Sequence, residues 1–190
     1  MIKLTLETTS VDRGASRILK EIEKVGSGIA VESGVLLPQA AMITDSPGSH
    51  RNVPLAIYAS WHEKGIEGRF PKRSFLASTV TRRAEEYARK SRTLLRKLYA
   101  GSIDLDGIML AQGQVTQRWI KTQIRQVKSP PNTPKTRRLK RRLGLGTNPL
   151  IFSGALLNSI SSRTSYSRSN YKGLTRGLMS LEKQFLRGIK

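Results

Sequence analysis

The sequence predicts an α+β fold, in which an antiparallel β-sheet is packed by long amphipathic helices, with a basic extended loop and a C-terminal arm or short helix. Alternating apolar and polar residues near the start indicate strands, and two long segments repeat apolar residues every three to four positions. The 190 residues suffice for one domain. We place that domain at residues 1–160, including a basic loop at 128–150, and a C-terminal extension at 161–190.

The first 65 residues are predicted to contain mostly strands. Residues 2–6 alternate as a half-buried strand does, and residues 11–24 have the apolar spacing of a first helix. Residues 28–37 predict a hairpin that turns at Ser33-Gly34. Residues 53–61 are rich in β-formers and predict a further strand.

Two long helices are predicted next. The first begins near Ser74 and ends near Leu98, with an apolar face opposite a face of arginines and lysines. The second is capped by Asp104 and runs to about residue 127. Gly107 and Gly113 interrupt this second helix, which indicates either a close helix approach or a kink, and we favour close packing.

The last third of the chain is predicted to be less regular. Ser153 is expected to cap a short helix that ends near Ile160. Residues 161–170 are polar and predict either a strand or a mobile segment. Residues 174–189 repeat leucine and other apolar residues at helical spacing, which predicts a final amphipathic helix that docks on the domain or on a neighbour.

The charge of the chain is strongly asymmetric. Residues 1–70 have no net charge, whereas residues 71–190 contain 26 basic and 5 acidic residues and carry the whole +21. Such a field attracts nucleic acid or an acidic protein surface. The densest run lies between prolines and glycines and is predicted to be an extended arm, either a solvated or partner-ordered loop, a nucleic-acid contact or a segment that binds an acidic protein groove. Its candidate contact residues are Lys135, Arg137, Arg138, Lys140, Arg141 and Arg142.

The residues give no support for an enzyme. The chain has no cysteine and only two histidines, so disulfides, thiolate chemistry and an all-protein transition-metal site are not expected. His62 and Glu63 are adjacent on a predicted strand and would point to opposite faces, so His62 is expected to be structural. Asp104 and Asp106 are typical of a helix N-terminus. We expect no catalytic residues, no cofactor and no metal.

Membrane association is not expected, because no apolar run approaches about 18 residues and the first residues lack the apolar core of a signal peptide. The aromatic residues divide into two groups. Tyr58, Trp61, Tyr87 and Trp119 are expected in the core or an interface. Tyr166 and Tyr171 lie among basic residues, and they are the better candidates for nucleic-acid contact.

Two segments, taken together, resemble the neck and tail-completion proteins of tailed bacteriophages. The first reads IYASWHEKG and then PKRSFL, similar to the pattern YAxxHExG followed by PxRxFL. The second contains PPNT and then NPLIFSGALLNSI, similar to the ending PPN followed by PLIDTGxLxxSI. The residues of the two segments that we assign a structural role in the motif, and call the signature residues, are Trp61, His62, Glu63, Gly65, Pro71, Arg73, Phe75, Leu76, Pro130, Pro131, Pro149, Leu150, Ser153, Gly154 and Leu156.

The resemblance implies a non-enzymatic virion protein that forms a ring in the phage neck. It implies self-assembly, with six or twelve copies, and contacts with the portal or head-tail adaptor and with the tail terminator or tail tube. Phage DNA in the channel is a further candidate partner. The expected location is the neck or tail of the virion, after assembly in the cytoplasm of the host bacterium.

The chain departs from the family pattern at two places. Phe152 stands where the family has an acidic residue, and residues 135–146 are longer and more basic than the pattern. The alternative interpretation uses the charge alone and predicts a basic nucleic-acid-binding protein, associated with ribosomes or the nucleoid.

Overall fold

The computed structural model describes residues 14–26, 28–36, 38–39 and 53–166. Within these residues the α+β class is confirmed, since long helices pack on a two-stranded antiparallel sheet. The elements are α1 (Ala15–Gly26), β1 (Ile29–Val35), α2 (Leu55–Lys64), α3 (Leu76–Tyr99), α4 (Leu105–Gln126), α5 (Pro134–Arg142), α6 (Ala155–Ser159) and β2 (Ile160–Tyr166). The strand predicted at 2–6 and the helix predicted at 174–189 lie outside the described residues.

The two strands pair along their full length, from Ile29 opposite Tyr166 to Val35 opposite Ile160. The hairpin predicted at residues 28–37 is wrong, because β1 continues through Ser33 and Gly34. The local turn signal is overridden by pairing with β2, which places serines opposite these two small residues. The predicted strand or mobile segment after residue 160 is therefore a strand as far as Tyr166.

The strand predicted at 53–61 is also wrong, because residues 55–64 form helix α2. The β-propensity of residues such as Ile57 is a weak preference that tertiary packing overrides. Leu55, Ala59 and His62 are all buried and lie four and three residues apart, so the helix places them on one face. Pro54 is the N-cap residue, and its lack of a backbone N–H removes no hydrogen bond within the helix.

Both long helices are confirmed, and they define the main packing layer. Asp104 caps α4 as predicted, because its Oδ1 accepts a hydrogen bond from the Gly107 N–H at 2.8 Å. Helix α4 contacts both strands and α3. The core beneath these elements consists of Ala59, Phe75, Ile120, Ile124, Val127, Leu150, Leu156 and Ile160.

Gly113 is a point of close approach between α4 and the sheet. A Cβ atom there would lie 3.1 Å from Ser162 Oγ and 3.3 Å from Val31 Cγ1. The predicted close packing is therefore confirmed at this glycine. The absence of a side chain lets both strands pack directly on the helix.

Replacing Gly113 by leucine is expected to destabilise the fold by about 2 kcal/mol or more, because the strands would have to move away from α4. Urea unfolding followed by circular dichroism measures the change. The control is Gly146→Leu, at an exposed glycine where a Cβ would meet nothing within 4 Å. Equal stability of the two variants would contradict the close-packing interpretation.

The basic segment that was predicted to be extended contains a helix, α5. Thr133 caps it by accepting a hydrogen bond from the Thr136 N–H at 3.3 Å, and Pro134 occupies the first turn, where proline is favoured. The prediction of an extended arm is wrong because proline, which breaks a helix interior, also favours the first turn, and Pro134 begins a helix here. The predicted cap of α6 also shifts, since Gly154 rather than Ser153 is its N-cap.

Candidate assembly site

The first signature segment forms the junction between α2 and α3, and Glu63 is its central residue. The Glu63 carboxylate accepts hydrogen bonds from the Ser74 hydroxyl at 2.6 Å and from the N–H groups of Phe75, Leu76 and Ala77 at 2.9 Å each. Helix α3 has no acidic residue in its own first turn. Glu63 therefore satisfies the unpaired donors of α3 from the preceding helix and places a negative charge at its positive end.

The ionisation of Glu63 follows from these contacts. Burial alone would raise the pKa of its carboxyl, because a charged group loses hydration. The hydrogen bonds from Ser74 and from three backbone N–H groups outweigh burial, and the pKa of Glu63 lies below its ordinary value.

Arg73 joins the two signature segments. Its Nε donates to the Pro130 carbonyl at 2.7 Å, and its Nη2 donates to the Pro131 carbonyl at 3.0 Å. The Arg73 N–H also donates to the His62 carbonyl at 2.7 Å. Only 6% of the residue is exposed, and burial lowers the pKa of the guanidinium. Residues that are 57 positions apart are thus held together by one side chain.

The apolar signature residues complete the same unit. Phe75 is fully buried and shares a core with Leu150 and Leu156, and Leu76 packs against that core. Pro149 is buried as well. Phe75 is the N-cap residue of α3, and the two leucines belong to the second signature segment. Their hydrophobic contact therefore joins the same two segments that Arg73 joins.

The remaining signature residues shape the turns. Trp61 packs against Phe70, with ring centroids 5.3 Å apart. Gly65 has φ of +81°, and a Cβ there would lie 3.1 Å from the Lys72 nitrogen, which favours glycine on both counts. Ser153 Oγ accepts from the Ala155 N–H at 3.3 Å. Exposed ring surfaces are presented by Pro71, Pro130 and Pro131.

His62 is buried, with ring centroids 4.6 Å from Tyr58 and 5.6 Å from Phe70. Its expected structural position agrees with this burial, but the strand geometry used to separate it from Glu63 is wrong, since both lie on α2. The two side chains still face different surroundings. His62 faces the rings of Tyr58 and Phe70, whereas Glu63 faces the start of α3.

The basic helix α5 presents most of its cations to the outside. The exposed ones are Lys135, Arg137, Arg138, Arg141 and Arg142. Lys140 was predicted as a contact residue and is instead 2% exposed. Its Nζ donates to the Asn148 carbonyl at 2.5 Å and to the Ile151 carbonyl at 2.6 Å, so it holds α5 against the loop before α6. Helical spacing turns Lys140 inward while its neighbours turn outward.

A second surface lies along the groove between α3 and α4, which we call the α3–α4 groove. Trp119 lines it, with Arg83 and Lys90 placed 5.8 and 6.0 Å from the ring centroid. Val80 borders the same groove and is 66% exposed, and Tyr87 is partly exposed there. Arg83 and Lys90 are thus the basic residues of α3 that border this apolar strip.

The N-terminal helix adds another exposed apolar strip, formed by Leu19, Ile22 and Val25. Among the α1 residues whose burial is described, Glu21 is the buried one, and its carboxylate accepts a hydrogen bond from the Leu105 N–H at 2.9 Å. Exposed apolar strips of this kind are typical of surfaces that contact another protein.

Sequence reasoning missed three polar anchors, namely Glu63 at α3, Lys140 at the loop before α6, and Glu21 at α4. Each connects elements through backbone groups, and no local pattern identifies such a partner. One signal was available in the sequence. The first turn of α3 has no acidic residue, so a carboxylate from another part of the chain is needed to stabilise its positive end.

Among the described residues, no helix is long and apolar enough to cross a membrane, and no three acidic or histidine side chains are close enough to hold a metal ion. Tyr171 and the side chain of Tyr166 lie outside the described part. Comparison with known protein families, with curated protein sequences and with solved structures finds no match.

Proposed function

We propose that the protein is a non-enzymatic structural subunit of a tailed-phage virion, which forms a ring in the neck and bridges the portal or adaptor to the tail. The observation that carries the proposal is the Arg73 contact with the carbonyls of Pro130 and Pro131. It joins the two segments that resemble neck and tail-completion proteins. Signature residues that are distant in sequence would thus occur together because they contact each other in the folded chain.

The chemistry of the signature residues supports a structural role. Glu63 is engaged by four donors of the α3 start, and Arg73 is engaged by backbone carbonyls. His62 is buried among aromatic rings. These contacts hold the fold together, which supports a structural role for the signature residues.

The surfaces support assembly with further copies of this chain. We propose that the α3–α4 groove of one subunit receives an apolar strip of the next, because Val80, Tyr87 and the α1 strip expose large apolar side chains. The exposed cations of α5 would then contact an acidic neighbour, either the adjacent subunit or another neck protein, or DNA in the channel.

The first test is the molar mass of nuclease-treated, full-length protein, measured by light scattering behind a sizing column at high salt. A discrete mass of six or twelve protomers would support a closed ring. A monomer that instead binds duplex DNA with a strong salt dependence would favour the alternative nucleic-acid-binding function. High salt removes adventitious nucleic acid, so the two outcomes are distinguishable.

Replacing Arg137, Arg138, Arg141 and Arg142 together by glutamine is expected to reduce assembly at least tenfold while leaving the monomer folded, because all four are exposed on α5. Assembly is measured by light scattering and by incorporation into particles, and folding by circular dichroism.

The matched control replaces four exposed arginines of α3 by glutamine, namely Arg82, Arg89, Arg92 and Arg96, and so removes the same charge. An equal loss in both variants would indicate a general charge effect and contradict a specific role for α5. Normal assembly of the α5 variant would also overturn that role.

A further inference from the structure

A cavity of about 170 Å³ lies between the α2–α3 junction and α5. Its walls include His62, Arg69, Arg73, Thr136 and Lys140, together with aromatic and proline rings. The described residues that line it include no aspartate or glutamate. The cavity is therefore cationic and partly apolar.

Two of its cations are buried without a carboxylate. Arg73 and Lys140 are 94% and 98% buried, and neither takes part in any salt bridge between described residues. Buried charges are normally paired, because an isolated one loses hydration without compensation. Residues 108–180 of the sequence contain no acidic side chain that could supply a partner from this part of the chain.

Donor capacity remains on both side chains. A guanidinium has five N–H groups, and the contacts of Arg73 with two carbonyls and with His62 Nδ1, at 3.5 Å, engage three of them. An ammonium has three, and the contacts of Lys140 with two carbonyls engage two. The carbonyls hold both side chains at the cavity wall. Two N–H groups of Arg73 and one of Lys140 remain as donors for a ligand.

The two cations also influence each other. Burial lowers the pKa of Lys140, and the positive charge of Arg73 lowers it further. Both effects disfavour the charged ammonium, and an anion in the cavity would oppose both.

We propose that this cavity binds a terminal oxyanion, a carboxylate or a phosphate monoester, between Arg73 and Lys140. Because both cations are buried, the cavity should favour an oxyanion at the end of a molecule over one within a chain. A backbone phosphodiester has a sugar on each side, and the sugars would have to enter the cavity with it. A carboxylate on an aliphatic stem, or a small phosphate, reaches the cations without that obstruction, and the surrounding rings can contact the stem.

The test uses the full-length protein at constant ionic strength and two probes, inorganic phosphate and N-acetylglutamate amide. Thermal unfolding and ³¹P NMR line broadening follow phosphate, and thermal unfolding follows the carboxylate. We expect a saturable rise in Tm with at least one probe, since a ligand of the folded state stabilises it by mass action. The probe that binds at the lower concentration identifies the source of the oxyanion.

Lys140→Met is expected to weaken binding at least tenfold, because it removes one of the two buried cations. Arg69→Gln alters an exposed residue at the cavity wall and should weaken binding about threefold without affecting the fold. Arg138→Gln removes an exposed charge of α5 that does not line the cavity, so it should leave the affinity unchanged.

Failure of both probes to give a saturable response in the unmodified protein would overturn the proposal, as would equal effects of the Arg69 and Arg138 variants. Displacement of bound phosphate by duplex DNA at high salt would overturn the restriction to terminal groups. If Lys140→Met does not fold, the Arg69 and Arg138 comparison and the NMR titration decide the matter.

Discussion

Replacing Glu63 by alanine is expected to lower the free energy of unfolding by about 3 kcal/mol. The change removes the acceptor for one hydroxyl and three N–H groups at the start of α3. Loss of a single helix cap costs about 1 kcal/mol, and hydrogen bonds to a charged group contribute about 1.5–3 kcal/mol. Urea unfolding, followed by circular dichroism, measures the loss.

Glu67→Ala is the matched control, since it removes an exposed glutamate only four residues away. It should change stability by less than about 0.5 kcal/mol. Equal destabilisation by the two substitutions would show that Glu63 acts only through net charge, which would contradict the capping role.

The contribution of Glu63 also depends on pH in a defined direction. Because its pKa is lowered in the folded state, the ionised carboxylate stabilises the fold above its unfolded pKa, and this stabilisation is lost as the pH falls through the folded value. The stability difference between the unmodified protein and Glu63→Gln should therefore be constant near pH 7 and shrink in acid, below the ordinary pKa of a glutamate. A difference that grows in acid would contradict this.

Phe75→Ala is the second substitution with a large expected effect, about 3–5 kcal/mol. Phe75 is fully buried, and its removal leaves a cavity between the α3 start and the second signature segment. The loss is measured as the change in urea midpoint at an unchanged slope.

Tyr99→Ala provides the comparison for Phe75, because it removes an aromatic ring that is 62% exposed from the other end of the same helix. Its expected cost is below about 1 kcal/mol. A similar cost for both rings would mean that the Phe75 site collapses around the smaller side chain.

The parts of the fold that were predictable are those with long periodic signals. Helices α3 and α4 extend over many turns, so errors at single positions do not hide the repeat, and Asp104 marks a start by its own chemistry. Helix α2 was missed because residues 53–61 combine β-forming side chains with too few turns for a clear helical period.

The interior of the candidate site was harder to predict than its location. The run of cations at 135–142 is visible in the sequence, but the inward position of Lys140 depends on carbonyls of the loop that follows. Similarly, Glu63 lies on α2 but accepts hydrogen bonds from the first N–H groups of α3. Contacts from side chains to distant backbone groups carry no pattern of residue types, and they become visible only when the chain is folded.

The pairing of β1 with β2 sets the order in which the chain can fold during synthesis. Val35 pairs with Ile160, so about 125 residues must be added before the partner strand exists. At about 5–20 residues per second, β1 waits roughly 6–25 s for β2. During that interval its backbone groups lack this partner and can pair with other chains. Chains that terminate before residue 160 should therefore aggregate, while the local contacts of α3 with α4 form early.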